Sequence, residues 1–138
     1  KAHVVEAQEG MELQKGTVYI SMGGKHMNVV TSHGRATIHY TDEPTREGVK
    51  PCANYMFESL RDSNYDNILC VVMTGMGADG TEGVKNLKAR KKIHVIAQNQ
   101  ETCTVYGMPK SIVNAGLSDQ IVGLDQIAPE IVLNIGLS

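Results

Sequence analysis

The chain has 138 residues, of which 41% are hydrophobic, and a formal net charge of -2. This length corresponds to one globular domain with a core of its own. The near-neutral charge, with no basic run longer than residues 90–92, excludes a nucleic acid or an anionic membrane surface as a partner held by charge. No apolar stretch approaches the roughly 20 residues that cross a bilayer, so membrane insertion is not expected. Three cysteines without C-x-x-C spacing favour a reducing, cytoplasmic location.

The amino-terminal half of the sequence predicts one strand, one hairpin and one helix. Residues 17–20 have the composition of a short strand, and residues 27–40 alternate apolar and polar side chains around a turn, as in an antiparallel hairpin. Residues 42–50 are polar and punctuated by Pro and Gly, which is typical of a loop. Pro51 suits the first turn of a helix. The apolar face of that helix carries Ala53, Met56, Phe57 and Leu60.

The carboxyl-terminal half alternates short apolar runs with helical patterns. Residues 68–73 and 94–97 are continuous apolar runs, which are typical of strands covered on both faces. Between them a helix is predicted over residues 79–89, with Val84, Leu87 and Lys88 at helical spacing. A further helix opens at Pro109 and ends before Gly116, and it is followed by a strand at 120–122 and a helix at 124–134. This order predicts a three-layer αβα fold with a mostly parallel, doubly wound sheet and one antiparallel hairpin.

A glycine-rich turn follows the first of these apolar runs, where the sequence reads LCVVMTGMGADGTEGV over residues 69–84. Gly75, Gly77 and Gly80 match the dinucleotide fingerprint G-x-G-x-x-G. A dinucleotide site needs the helix amino terminus free for pyrophosphate, yet Asp79 occupies that position and would repel a phosphate. The nucleotide interpretation is therefore disfavoured, and no cofactor is expected.

Two interpretations of Asp79 remain open from the residues alone. Asp79 followed three residues later by Glu82 is close to a capping box, so the acid could serve only to begin its own helix. Alternatively, an ionised acid held by backbone amides at a strand-to-helix turn could orient the histidine of a hydrolytic triad. The two roles are compatible with each other.

Three motifs in order give the sequence a family resemblance. They are TGMGADG at residues 74–80 followed by Gly83, VIAQ at 95–98 and YGMPK at 106–110. Together they resemble the catalytic domain of the chemotaxis protein-glutamate methylesterases of the CheB type. Gly10, the short strand at 18–20 and GGKHM at residues 23–27 resemble the preceding segment of that family in the same order.

The resemblance implies a hydrolytic function. The family uses a Ser-His-Asp triad to hydrolyse γ-glutamyl methyl esters on bacterial chemoreceptors, and it commonly deamidates receptor glutamines as well. By the match to TGMGADG, the triad acid would be Asp79 and the backbone N–H of Met76 would be an oxyanion donor. Gly75, Gly77 and Met108 would border the substrate cleft.

The other two triad residues are missing from the chain. In the family the serine lies in a G-x-S-T-G-G turn and the histidine in a Q-H-M segment, both upstream of the region matched here. We therefore expect residues 1–138 to be a methylesterase catalytic domain without its amino-terminal segment, inactive alone. The resemblance also implies an upstream phosphorylatable receiver domain and, as substrates, the cytoplasmic domains of methylated chemoreceptors.

Local substitutes for the missing residues are disfavoured. Ser21 lacks the glycine two residues earlier that a nucleophile elbow requires. His26 matches a family histidine that is not the triad base, so we expect a loop or cleft-lining residue with a satisfied ring. Cys103 has no histidine near it in sequence, and a lone Cys is ordinarily a small packing residue. The histidines show no metal-ligand spacing, so no metal is expected.

Two positions depart from the family pattern. Residues 50–54 read KPCAN where the family usually reads R-P-S-x-D, so Cys52 replaces a serine and Asn54 replaces an acid. The contacts that the family's serine and acid would make to a substrate or to a neighbouring domain are therefore not carried over to these two residues. These departures and the missing upstream motifs leave an alternative function, a non-catalytic module that binds receptors or a receiver domain with the same fold.

Overall fold

The structure, a computed structural model, describes residues 2–136. In chain order the elements alternate between strands and helices after an initial set of four strands. They are β1 (His3–Glu6), β2 (Thr17–Ile20), β3 (His26–Ser32), β4 (Arg35–Thr41), α1 (Ala53–Ser59), β5 (Asn67–Val72), α2 (Thr81–Lys88), β6 (Lys92–Gln98), α3 (Gly107–Asn114), β7 (Gln120–Val122) and α4 (Leu124–Ile135). Single turns of 3-10 helix lie at Leu60–Asp62 and Gln100–Thr102.

The strands pair in three sets. β1 and β2 are parallel, β3 and β4 are antiparallel, and β5, β6 and β7 form a parallel sheet in that order. Helices α2 and α3 make the two crossovers of the three-stranded sheet. The predicted three-layer α/β fold with mostly parallel strands and one antiparallel hairpin is confirmed. Within the described residues the parallel strands are divided between a pair and a set of three.

The hairpin β3–β4 has the predicted turn. Val29 pairs with Ile38, and Ser32 pairs with Arg35 across a two-residue loop. His33 and Gly34 in this loop have φ angles of 52° and 76°. Positive φ at both central positions is the pattern of a type I′ turn, whose twist matches that of the flanking strands.

The core lies between the three-stranded sheet and the helices. Strands β5 and β6 contribute continuous apolar runs because both of their faces are covered. Helix α2 contributes Val84 and Leu87, both fully buried, whereas Lys88 is exposed. Val84, Leu87 and Lys88 all lie in α2, as their predicted helical spacing requires, and the Lys88 ammonium group stays in solvent because an unpaired charge is costly to remove from water. Further buried members of the core are Phe57, Cys70, Val72, Val95, Ala97, Ile112 and Leu117.

Several element ends differ from the prediction. Pro51 lies outside α1, because the helix begins at Ala53 after an extended Cys52. Helix α2 begins at Thr81, two residues later than predicted, and α3 begins at Gly107, two residues before Pro109. Strand β1 was not predicted, since only its two valines are apolar and its pairing with β2 is a tertiary contact. Among the described residues no helix is long and apolar enough to cross a membrane.

Candidate active site

The glycine-rich loop after β5 packs against the loop that precedes α3. The Gly75 N–H donates to the Val105 carbonyl at 2.9 Å, and the Met108 N–H donates to the Gly75 carbonyl at 2.9 Å. The Thr74 hydroxyl accepts from the Val105 N–H at 2.9 Å and donates to its carbonyl at 3.0 Å. Residues from two neighbouring strand ends are thus joined at the carboxyl edge of the parallel sheet, where ligand sites of α/β folds lie.

Close packing explains why glycines are needed where the two loops meet. A Cβ on Gly75 would lie 2.4 Å from the Met108 sulfur, and a Cβ on Gly107 would lie 2.9 Å from the Gly77 nitrogen. Gly77 itself has a φ of +87°, which L side chains rarely adopt. Gly75, Gly77 and Met108, predicted to border one cleft, therefore lie close together in the structure. Their contact with a substrate stays a prediction.

Met76 lies at the exposed tip of the glycine-rich loop. Its accessible fraction is 84%. The Met76 N–H donates no hydrogen bond to any of residues 2–136. A backbone amide held in a tight loop and left unpaired can donate to an oxygen that becomes negatively charged during a reaction, without prior reorganisation.

Asp79 is 7% exposed, and each of its carboxylate oxygens accepts a backbone amide. The Ala53 N–H donates to Oδ2 at 2.7 Å, and the Asn54 N–H donates to Oδ1 at 3.1 Å. These are the first two amides of α1, which have no acceptor within their own helix. A carboxylate has about four lone-pair positions, so two such bonds leave capacity for a further donor.

The alternative in which Asp79 caps its own helix was wrong. The N-cap of α2 is Gly80, with a φ of 100° and no side-chain cap. Glu82, the expected partner in a capping box, instead reaches the Arg46 guanidinium at 3.3 Å. Asp79 caps α1, a helix that lies 25 residues away in sequence, and such a partner follows from packing rather than from local spacing.

The amino terminus of α2 is occupied by the side chain of Asn54. Its Oδ1 accepts from the Gly80 N–H at 3.0 Å and from the Gly83 N–H at 2.7 Å. Two of the amides that a pyrophosphate would need are therefore already bonded, and Asp79 adds a negative charge beside them. This arrangement argues against the dinucleotide interpretation.

Gln98 anchors the glycine-rich loop from the end of β6. It is 1% exposed, and its Oε1 accepts from the Thr74 N–H at 2.8 Å. Its Nε2 donates to the Thr102 carbonyl at 2.9 Å. A polar residue directly after a buried apolar run is visible in the sequence, and it is the signal for this role. Its partners, however, depend on how the loops pack.

His26 has the satisfied ring that was predicted, but in the interior rather than in a cleft. It is fully buried, with Nε2 donating to the Pro44 carbonyl at 3.1 Å and Nδ1 accepting from the Cys52 N–H at 3.2 Å. The ring also meets Tyr55 edge to face at 4.6 Å between centroids. His26 thereby holds the segment that leads into α1.

A small cavity of about 170 Å³ lies beside the start of α1. Burial raises the pKa of the Cys52 thiol that lines it, which disfavours a thiolate nucleophile there. Ser21 also lines this cavity, and its hydroxyl donates to the Met22 carbonyl at 3.3 Å, with no histidine among residues 2–136 bonded to it. Neither side chain has the activated geometry of a catalytic nucleophile. The lining is completed by Met27, Pro51, Ala53 and Met56.

The described residues contain no group of three or more His, Cys, Asp or Glu side chains placed to hold a metal ion. The polar groups described above at the carboxyl edge are instead the Asp79 carboxylate, the carboxamides of Asn54 and Gln98, the Thr74 hydroxyl and a set of backbone amides. An acid fixed by amides beside a glycine-rich loop with an unpaired N–H is suited to stabilising charge during acyl transfer.

These features define an α/β domain whose strand-to-helix loop carries a carboxylate fixed by backbone amides and an unpaired backbone N–H. The family model described as CheB methylesterase matches residues 1–131. The chain belongs to the CheB methylesterase family.

Similar proteins agree with this assignment. The chain is 46% identical over 128 residues to the protein-glutamate methylesterase/protein-glutamine glutaminase 1 of Oleidesulfovibrio alaskensis, covering 93% of this chain and 34% of that protein. It is 40% identical over 138 residues to the corresponding protein of Vibrio parahaemolyticus, covering 100% of this chain and 37% of that protein. The chain thus spans about a third of the length of these curated relatives.

A solved structure confirms the fold. The crystal structure of the Thermotoga maritima CheB methylesterase catalytic domain superimposes with a TM-score of 0.86 at 31% sequence identity. The match covers 94% of this chain and 68% of that domain. About a third of that domain lies outside the match.

Proposed function

We propose that the chain is the carboxyl-terminal part of the catalytic domain of a protein-glutamate methylesterase that also deamidates glutamine. Family membership and the names of the similar proteins support this activity. The observation that carries the proposal is the Asp79 carboxylate, fixed by two backbone amides at 2.7 and 3.1 Å and lying three residues after the unpaired Met76 amide. This chain would supply the acid and an oxyanion donor to a Ser-His-Asp triad.

The proposed roles follow from acyl-transfer chemistry. A serine Oγ attacks the γ-glutamyl ester carbonyl while an imidazole removes its proton, and the Met76 N–H donates to the oxyanion that forms. Asp79 accepts from the imidazole N–H, holds its tautomer and stabilises the imidazolium. When the tetrahedral intermediate collapses, the imidazolium gives its proton to the leaving group, which departs as methanol from an ester or as ammonia from a glutamine substrate. Water then hydrolyses the acyl-serine to glutamate.

The serine, the imidazole and the regulation of the enzyme are assigned to protein outside this chain. We place the serine and the histidine in the part of the catalytic domain that precedes residue 1, and a phosphorylatable receiver domain upstream of that. The substrates would be the cytoplasmic domains of methylated chemoreceptors, which sets the enzyme in bacterial chemotaxis and in the cytoplasm. On this proposal the polypeptide 1–138 alone has no esterase activity.

The test is hydrolysis by the full-length protein, measured as methanol released from methylated receptors. Asp79→Asn is expected to lower kcat by about 10⁴, because an amide in this position favours the wrong imidazole tautomer. Glu82→Gln is the matched control, since it removes an exposed carboxylate three residues away, and it should leave kcat unchanged.

Two results would contradict the proposal. One is an unchanged rate for Asp79→Asn. The other is a wild-type protein that binds receptors or a receiver domain without releasing methanol, which would favour the non-catalytic module instead.

A further inference from the structure

The side chains of Asn54 and Asp79 each cap the amino terminus of a helix that is distant in sequence, and the two caps lie side by side where α1 meets α2. The Asp79 carboxylate accepts from the amides of Ala53 and Asn54 at the start of α1. The Asn54 carboxamide oxygen in turn accepts from the amides of Gly80 and Gly83 at the start of α2. Asp79 therefore pairs the free amides at the start of α1, the helix that contains Asn54. Asn54 pairs free amides at the start of α2, the helix that directly follows Asp79.

We propose that Asn54 is a positioning residue for the catalytic acid, an inference that rests on the proposed function. The Asp79 carboxylate can orient an imidazole only while the turn from residue 79 to residue 83 stays fixed against α1. Asn54 provides that fixation, because its single oxygen accepts from two amides of this turn, which lie 26 and 29 positions later in the chain.

The packing of the two helices keeps the Asn54 side chain within reach of the turn. A Cβ on Gly83 would lie 2.7 Å from the Asn54 Cα, so the backbones are in direct contact at this point. Asn54 is also fully buried, which removes water as an alternative partner for the Gly80 and Gly83 amides. Loss of the Asn54 oxygen would leave both amides without an acceptor.

The orientation of the Asn54 side chain is determined by its partners. Both hydrogen bonds are made by Oδ1, and Nδ2 is buried with no partner among residues 2–136. A buried unpaired donor is unfavourable for stability. The acceptor oxygen is therefore the functional part of the side chain, and the NH₂ group is dispensable.

This asymmetry gives a sharp test in the full-length enzyme. Asn54→Ala removes the acceptor and should lower kcat about 10- to 100-fold with KM changed less than about threefold, because small displacements of a catalytic group cost up to about 10²-fold. Asn54→Asp keeps an acceptor oxygen and removes the unpaired donor, so kcat should return to within about fivefold of wild type. Should Asn54→Ala fail to fold, Asn54→Ser replaces it, since its shorter side chain cannot hold both amides.

Leu87→Ala is the control for a merely structural effect. Leu87 is fully buried in the last turn of α2, away from the caps formed by Asn54 and Asp79, so its truncation should lower the Tm without lowering kcat at temperatures where the protein is folded.

The positioning role is refuted if Asp79→Asn abolishes hydrolysis while Asn54→Ala, or Asn54→Ser in its place, leaves kcat unchanged. It is equally refuted if Leu87→Ala lowers kcat as much, or if Asn54→Asp is no better than Asn54→Ala. An unchanged rate in Asp79→Asn would instead refute the proposed function itself.

Discussion

At the residue scale, the two oxygens of Asp79 are bonded to two different amides. Local spacing alone predicts that replacing this acid by an amide costs well under ~1 kcal/mol, because Asn also caps helices. That expectation assumes a single bond to the helix that follows. In the structure both Ala53 and Asn54 donate to the side chain, and an amide side chain offers only one acceptor oxygen.

Asp79→Asn is therefore expected to reduce the free energy of unfolding by about 1–3 kcal/mol, since one buried N–H would face the NH₂ group instead of an acceptor. Chemical denaturation of the full-length protein measures this loss. Glu82→Gln, at an exposed side chain, should change the free energy of unfolding by less than about 0.5 kcal/mol. Equal stability of the two variants would show that only one of the Asp79 bonds matters.

At the element scale, one arginine joins the loop before α1 to both helices of the site. The Arg46 guanidinium donates to both carboxylate oxygens of Glu58 at 2.7 Å and to Glu82 at 3.3 Å, and it lies 5.0 Å from the centre of the Tyr55 ring. Glu58 also accepts from Asn86 at 2.8 Å. A bidentate hydrogen-bonded pair between an arginine and a mostly buried carboxylate is among the stronger ionic contacts in proteins.

This pair makes stability depend on pH on the acid side. Hydrogen bonding to Arg46 lowers the pKa of Glu58, against the opposing effect of burial. The contribution of this pair to the free energy of unfolding is fully present above the ordinary pKa of glutamate, roughly 4.3. It is lost as the pH falls through the lowered pKa of Glu58 in the folded protein. Arg46→Met should therefore lower the free energy of unfolding at pH 7 by about 1–3 kcal/mol, and by less near pH 3.5.

Denaturation of the wild type and the variant at the two pH values measures this difference. Arg90→Met is the control, because the Arg90–Asp62 pair is exposed on both sides and should contribute little at either pH. If Arg46→Met lowers the free energy of unfolding by the same amount at both pH values, the guanidinium acts through packing on Tyr55 rather than through the charge of Glu58.

At the scale of the whole molecule, β1 and β2 present an uncovered apolar face. Val4 is 60% exposed, Val18 is 43% exposed and Ile20 is 53% exposed. Val4 and Val18 are paired across the two strands, and Ile20 follows two residues after Val18 on the same side. An apolar face of this kind favours association with other apolar surfaces.

The polypeptide 1–138 by itself is therefore expected to self-associate as its concentration rises, which sedimentation velocity measures. Replacing Val18 and Ile20 together by Thr should shift the protein toward monomer, because Thr keeps strand propensity while removing apolar area. Val105→Thr, at a valine that is 44% exposed elsewhere, is the control and should leave association unchanged. Wild-type protein that stays monomeric at all concentrations would contradict the expectation.

The sequence by itself determined the described strands other than β1, and it determined the family. The apolar runs predicted β5 and β6 to within two residues and β7 without error, and the turn around Gly34 predicted the hairpin. These features depend on local periodicity and on backbone angles available to few residue types. The order of three motifs likewise indicated the methylesterase family, because those motifs are read directly from the residues and need no tertiary contact to be recognised.

Only the tertiary structure decided the partners of the polar residues. That Asp79 caps α1, that Asn54 caps α2 and that Gln98 holds the glycine-rich loop through Thr74 could not be read from spacing, because 24 to 29 residues separate the partners. A side chain such as Asp79 offers several acceptor positions, and local sequence leaves open which donors will use them. Packing of the helices on the sheet makes that choice, since it brings buried amides to within bonding distance and excludes water from them.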